Sequence, residues 1–261
     1  MTTLTLPRPI RLPDPRLFAA VLTVGILLAQ VPALLRVAAT PDLNGYAGID
    51  YRLYMDATRD WLATGQFYAP YQLAGPYPVL FGDILYPPVA LWLFVPFTIL
   101  PAFLWWSVPI GVTAAVIVSH RPRWMVWPIL ALCLWGPVQI HVISGNPGLW
   151  AMMFVALSTR WPAFGPFAFI KASLGVFGLL GIRSRSWWLG LAVFCALSLA
   201  VLPMWFDWLT ALLNSRSGGG LFYSWQEAPM MLMPIIAWLA RPGGRYGQPR
   251  EPFRRASPAR G

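Results

Sequence analysis

Apolar runs recur along this chain, and all but one are of about 20 residues or more, long enough to cross the hydrocarbon core of a bilayer as a helix; the run at 149–157 is short. They fall at residues 17–39, 87–119, 124–142, 149–157, 163–182, 187–213 and 221–240. The run from 87 to 119 is too long for one untilted helix, and Pro96 and Pro101 divide it into two short spans with a turn at 100–102. The pattern predicts an all-α fold, a polytopic helical membrane protein of about eight transmembrane helices. Residues 1–240 read as a single membrane domain and residues 241–261, rich in Arg, Pro and Gly, as a disordered tail. The first run, followed by Val37-Ala38-Ala39, looks like a signal peptide with a cleavage site. Its length and Arg36 at its end favour an uncleaved signal anchor.

The polar positions concentrate in one place. Residues 40–86 form a long loop holding five of the nine acids: Asp42, Asp50, Asp56, Asp60 and Asp83. Within it Ile49, Leu53, Ala57 and Trp61 recur at helical spacing, and Gly65 follows as a natural C-cap. The opposite face carries Arg52, Asp56, Arg59 and Asp60. This predicts an amphipathic helix lying flat on the outer membrane surface.

Composition agrees with the pattern. Hydrophobic residues make up 57% of the 261, charged residues only 11%, and the mean hydropathy is +0.58. Ordinary soluble domains carry about a quarter charged residues. The net charge of +10 does not point to nucleic acid. Its arginines cluster beside the apolar runs, as the positive-inside rule expects of cytoplasmic flanks, and those of the tail could also touch anionic lipid headgroups. An even number of spans places both termini in the cytoplasm, the chain in the plasma (inner) membrane and the first loop outward. Arg121, Arg123, Arg160 and Arg216 then fall in outward loops, against the rule, although the eleven arginines assigned inside outnumber them.

Several residues are candidates for chemistry. Asp50 opens the loop helix, where it serves either as an N-cap or as a general base facing a membrane-embedded cavity. Tyr86 precedes Pro87-Pro88 at the entry to the next run, as an interfacial anchor or as a pocket donor. Lys171, the only lysine, lies deep in an apolar run. An ionisable residue there marks a functional site by default, with snorkelling as the alternative. Gln139 and His141 precede Ser144-Gly145-Asn146-Pro147-Gly148, and a lone His near a helix end is more often structural. Cys133 and Cys195 have no metal-ligand spacing, the two histidines have no cluster around them, and no metal or other cofactor is expected. Nucleotide-binding, dinucleotide-binding, serine-hydrolase and zinc-protease motifs do not occur.

Three blocks resemble glycosyltransferase family 87, within the GT-C superfamily of membrane glycosyltransferases that use polyprenyl-phosphate sugars. The first is Gly48-Ile49-Asp50-Tyr51-Arg52-Leu53-Tyr54 with Ala57 and Gly65-Gln66-Phe67-Tyr68. The second is Tyr86-Pro87-Pro88 with Pro96 and Leu100-Pro101. The third runs from Gly145-Asn146 through Lys171 to Arg183-Ser184-Arg185-Ser186-Trp187. Asn146 stands where the family usually has Gln, and Ser173 where Pro often follows the lysine. The resemblance implies transfer of one sugar, mannose-like, from a polyprenyl-phosphate donor to a glycolipid or glycan acceptor hydroxyl on the outer face, with inversion. It implies Asp50 as general base; Arg52, Tyr54, Tyr86, Lys171, Gln139, His141 and Asn146 are the candidate substrate-binding residues. A lipid-linked-sugar transporter or flippase, and a catalytically degenerate scaffold, are the alternative readings.

Overall fold

The computed structural model describes residues 14–39, 47–79, 82–216 and 225–242, and their regular elements are all helical. The single β contact among them is an isolated bridge between Tyr77 and Ser215. Arg8, Arg11, Asp42, the Gly-rich segment 217–220 and the basic tail beyond 242 lie outside the described residues. By length and composition one helix is apolar enough to cross a membrane, and two bent pairs raise that number to three.

Helix α1 (Pro15–Ala39) opens on a proline behind Asp14, whose carboxylate accepts the Arg16 N–H at 2.8 Å. It packs along α6 (Trp127–Cys133) and reaches α7 (Gly136–Ser144). There Gln30 accepts a hydrogen bond from Gln139 and donates one to the Ala131 carbonyl. α6 and α7 form one column bent by 67°. α5 (Phe103–Ser119) and α8 (Gly148–Ser158) run antiparallel to that column. α8 is the central helix: Leu149, Trp150, Ala151, Val155 and Ala156 are all buried. Lipid supplies little hydrophobic drive between helices, so small residues such as Ala151 and Ala156 matter for letting backbones approach.

Two predicted spans have a different form. The stretch after Tyr86 enters a short helical turn at Pro88–Ala90 and then α4 (Leu91–Phe97). Seven residues span only about 10 Å. Both ends of α4 stay beside the loop helix α2 (Ile49–Thr64). Tyr54 packs on Tyr86 and Phe94, the Tyr51 hydroxyl donates to the Phe97 carbonyl, and Arg59 donates to that of Thr98. α4 is therefore part of the cap over the bundle, not a pass through it.

The second exception is the run at 163–182. It folds into two 3₁₀ segments, Pro162–Ile170 and Ala172–Leu179, that turn back at Lys171 and pack on each other. Gly181 returns to lie against Pro162, so the hairpin enters and leaves at one end of the bundle. Helix α9 (Arg185–Leu199) seals it, with the Trp187 indole donating to the Gly178 carbonyl. A Cβ on Gly190 would stand 2.0 Å from the Ala163 carbonyl oxygen, so only glycine permits this approach.

After α9 the chain bends by 88° into α10 (Leu202–Asn214), so the run at 187–213 is not one straight helix. α10 lies against the short helix α3 (Pro70–Ala74). Trp208 donates to the Leu85 carbonyl, while Leu202, Phe206, Leu209 and Leu213 form an exposed apolar stripe. α11 (Ala228–Leu239) packs against α5, α6 and α8.

These paths give the bundle two distinct ends. One carries α2, α3, α4 and α10. At the other the Arg123 N–H donates to the Ala240 carbonyl, and His120 bonds Thr159. Arg121, Arg123, Arg160 and Arg241 therefore share one end, correcting a topology that put the first three opposite Arg241. Setting α4 in the cap reverses the direction of α5, α6, α7 and α8 from the predicted order, and the hairpin restores it for α9 and α11.

Candidate functional site

Helix α2 begins behind Gly48 and ends at Gly65, whose N–H bonds the Trp61 carbonyl at 2.8 Å as the C-cap pattern predicts. Gly48, not Asp50, is the N-cap residue. Asp50 sits in the first turn, half-buried, and its carboxylate is turned inward. Oδ2 accepts from Ser144 Oγ at 2.8 Å and from Asn146 Nδ2 at 2.9 Å. Both donors come from the turn between α7 and α8, and the Gly48 N–H anchors α2 there by donating to the Ile143 carbonyl.

Asn146 continues the network inward. Its Oδ1 accepts from the Gly148 N–H at 2.8 Å, from the Tyr86 hydroxyl at 2.9 Å and from Lys171 Nζ at 3.0 Å. Lys171 stands at the tip of the hairpin and is 1% exposed. Nζ also donates to the Tyr86 hydroxyl at 2.8 Å and to Glu227 Oε1 at 2.8 Å. An ammonium has three donors, and all three are taken. Glu227, equally buried, lies at the entry to α11, and His141 Nε2 is 3.5 Å from its Oε1. Tyr54 packs edge-on against Tyr86, which Lys171 also faces at 5.0 Å from the ring centre.

The structure thus brings Asp50, Tyr86, Asn146, Lys171 and His141 together with Tyr54 at the flank. It does not bring Arg52 or Gln139 to them. Arg52 is exposed and donates to the Ala47 carbonyl at 2.8 Å, and Gln139 ties α7 to α1 through Gln30. Snorkelling does not describe Lys171, because its charge is met in the interior.

Two members of the network were not singled out from the sequence, Ser144 and Glu227. A signal for Glu227 existed. A buried lysine needs a buried acid, and the apolar half of the chain after Lys171 offers only Asp207 and Glu227 before the tail. Nothing in the local sequence separates Ser144 from any helix-end serine.

The arrangement is a graded chain of charge. The ion pair Lys171–Glu227 is desolvated, and a half-buried carboxylate is held at its rim by two neutral donors. That carboxylate oxygen Oδ2 is occupied, and Asp50 has a second oxygen. Beside α2, starting about one helical turn from Asp50, a cleft of about 460 Å³ is lined by Leu53, Asp56, Asp60, Phe67, Tyr68 and Gln72 among others. Burial and the nearby Asp207 carboxylate raise the Tyr68 phenol well above its ordinary value, so it is a neutral hydroxyl in that wall. Among the described residues no group of three or more His, Cys, Asp or Glu side chains is placed to hold a metal ion. Comparison with protein-family models, with curated proteins and with solved structures finds no match to the chain.

Proposed function

We propose that this protein is an integral membrane glycosyltransferase that moves one sugar from a polyprenyl-phosphate donor to an acceptor hydroxyl. In this reading α1, α5, the bent pair α6–α7, α8, α9 and α11 cross the membrane. The hairpin tipped by Lys171 is re-entrant, and α2 and α10 lie in the interface. The even number of passes keeps both termini on one side, and the cluster of arginines makes that side the cytoplasm. The loop helix then faces outward, with α10's apolar stripe resting in the acyl region.

The observation that carries the reading is the inward-turned Asp50 carboxylate, held by Ser144 and Asn146 at the mouth of a buried charged network. A general base must hold its geometry and remain within reach of substrate. The acceptor hydroxyl loses its proton to Asp50 as its oxygen bonds to the anomeric carbon. The bond from that carbon to the phosphate oxygen breaks, and the electron pair leaves with the lipid phosphate. The acceptor enters along the cleft beside α2, whose carboxylates, amide and aromatic rings suit a polyhydroxylated ligand. Exposed Arg52 is the nearest cation along the chain to meet the leaving phosphate.

Lys171 takes a different role from the one the resemblance implies. With its three donors committed, it fixes Tyr86 and Asn146, and Asn146 fixes Asp50. Lys171 and Glu227 are positioning residues.

The test is transfer of labelled sugar in membranes containing the protein. Asp50→Asn should abolish it at unchanged expression, and wild-type turnover in that variant would remove Asp50 as the base. One observation favours a second reading. A buried ion pair at the tip of a broken, re-entrant element also suits a transporter of lipid-linked sugars. Flux of intact donor across vesicles, without sugar transfer, would select it.

A further inference from the structure

The end of the bundle opposite the site carries an unbalanced charge. Arg16, Arg121, Arg123, Arg160, Arg183, Arg185 and Arg241 belong to it, against the single acid Asp14 among the described residues. No ion pair is formed there, whereas Arg59 and Lys171 at the other end are both paired. The C-termini of α5, α8 and α11 meet at this face. Helix C-termini carry about half a negative charge each. Three of them offset less than half of the charge on Arg121, Arg123, Arg160 and Arg241, so most of the positive charge remains.

The groups are arranged and not merely present. His120 Nε2 is 2.8 Å from Thr159 Oγ1, and Arg160 donates to Ser119 Oγ at 3.1 Å. Arg160 lies over the Trp161 ring at 5.6 Å and Arg241 over Trp238 at 4.7 Å. Each guanidinium thus lies over an indole face. Trp161, Trp124 and Met125 are each more than half exposed beside them. Cations above indoles, with exposed apolar side chains next to them at a helix-bundle end, match a lipid with an anionic head and apolar chains. Burial and the facing Arg241 and Arg160 lower the His120 pKa.

We infer that the face formed by the ends of α5, α8 and α11 binds the headgroup phosphate of an anionic phospholipid between Arg160, Arg241 and His120. Bidentate guanidinium–phosphate contacts supply the attraction, and the exposed indoles seat the upper acyl chain. The inference rests on the membrane reading and not on sugar transfer. It therefore stands or falls independently of Asp50.

The test uses the full chain in detergent micelles doped with phosphatidylglycerol or phosphatidylcholine, with retained lipid read by native mass spectrometry. Wild type should retain phosphatidylglycerol in preference. Arg160→Gln/Arg241→Gln should weaken that retention about 30-fold, at roughly fivefold for each arginine. Arg160→Lys/Arg241→Lys, which keeps the charge but not the fork, should fall between. Arg59→Gln at the opposite end should change nothing. Equal retention of the two lipids, or undiminished retention in the double glutamine variant, would overturn the site. Displacement of phosphatidylglycerol by millimolar inorganic phosphate would overturn the lipid as occupant and leave a soluble anion.

Discussion

The two ends of this bundle use charge in opposite ways. At one, Lys171 and Glu227 are buried and paired, every Lys171 donor is taken, and they organise neutral partners out to Asp50. At the other, among the described residues, arginines outnumber acids, stay near the surface and pair with none of them. A buried charge is tolerable only with its partners in place, so the first end is rigid and intolerant of change. A surface charge keeps its water, so the second end can lose one with little effect on the fold.

That contrast is sharpest when one partner is deleted. Lys171→Met leaves Glu227 buried without a cation and should cost about 3–5 kcal/mol of stability. Lys171→Met/Glu227→Leu should recover most of it, and thermal unfolding in detergent compares them. If the single and double variants unfold alike, the pair does not organise this end. Gly148→Ala probes the same point sterically. A Cβ there would lie 2.5 Å from Glu227 Oε2 and 3.0 Å from Asn146 Oδ1. The expected loss is about 1–3 kcal/mol, the usual range for overpacking. Transfer activity should fall further than that loss of stability explains.

Asp50→Asn separates chemistry from stability. Turnover should drop by about 10²–10⁴-fold, while the unfolding midpoint stays close to wild type because the residue is only half-buried. At the basic end Arg160→Gln should alter stability by no more than about 0.5 kcal/mol. A loss as large as that of Lys171→Met would erase the contrast.

Titration supplies the smallest effects. His120 has a lowered pKa when folded, so the folded chain binds fewer protons there than the unfolded chain. Stability is whole above the ordinary value of 6.5 and declines as pH falls through it, a decline that His120→Gln should flatten. Tyr71 behaves in the opposite sense. Its hydrogen bond to Asp83 raises the phenol from 10.0 to about 12. Its contribution is whole below 10.0 and is lost as pH rises through about 12. Phenolate absorbance should show late-titrating tyrosines, and Tyr71→Phe should remove the component that ionises near pH 12.

Periodicity and composition by themselves determined that the chain is helical, that residues 49–64 form an amphipathic helix stopped at Gly65, and that Lys171 sits in an apolar setting. These are properties of side-chain spacing and transfer energy, which act locally. Hydropathy could not distinguish a helix that passes through from one that stops or turns back. α4 and the Lys171 hairpin are as apolar as true passes, and only their packing against α2 and α9 reveals their paths. The same limit hid the shared end of Arg121, Arg123, Arg160 and Arg241, because each miscounted pass reverses the side of everything after it. It also hid Glu227, which lies 56 positions beyond Lys171 in the chain. Which acid neutralises a buried cation depends on distance in space, and that is set only when the hairpin, α8 and α11 pack together.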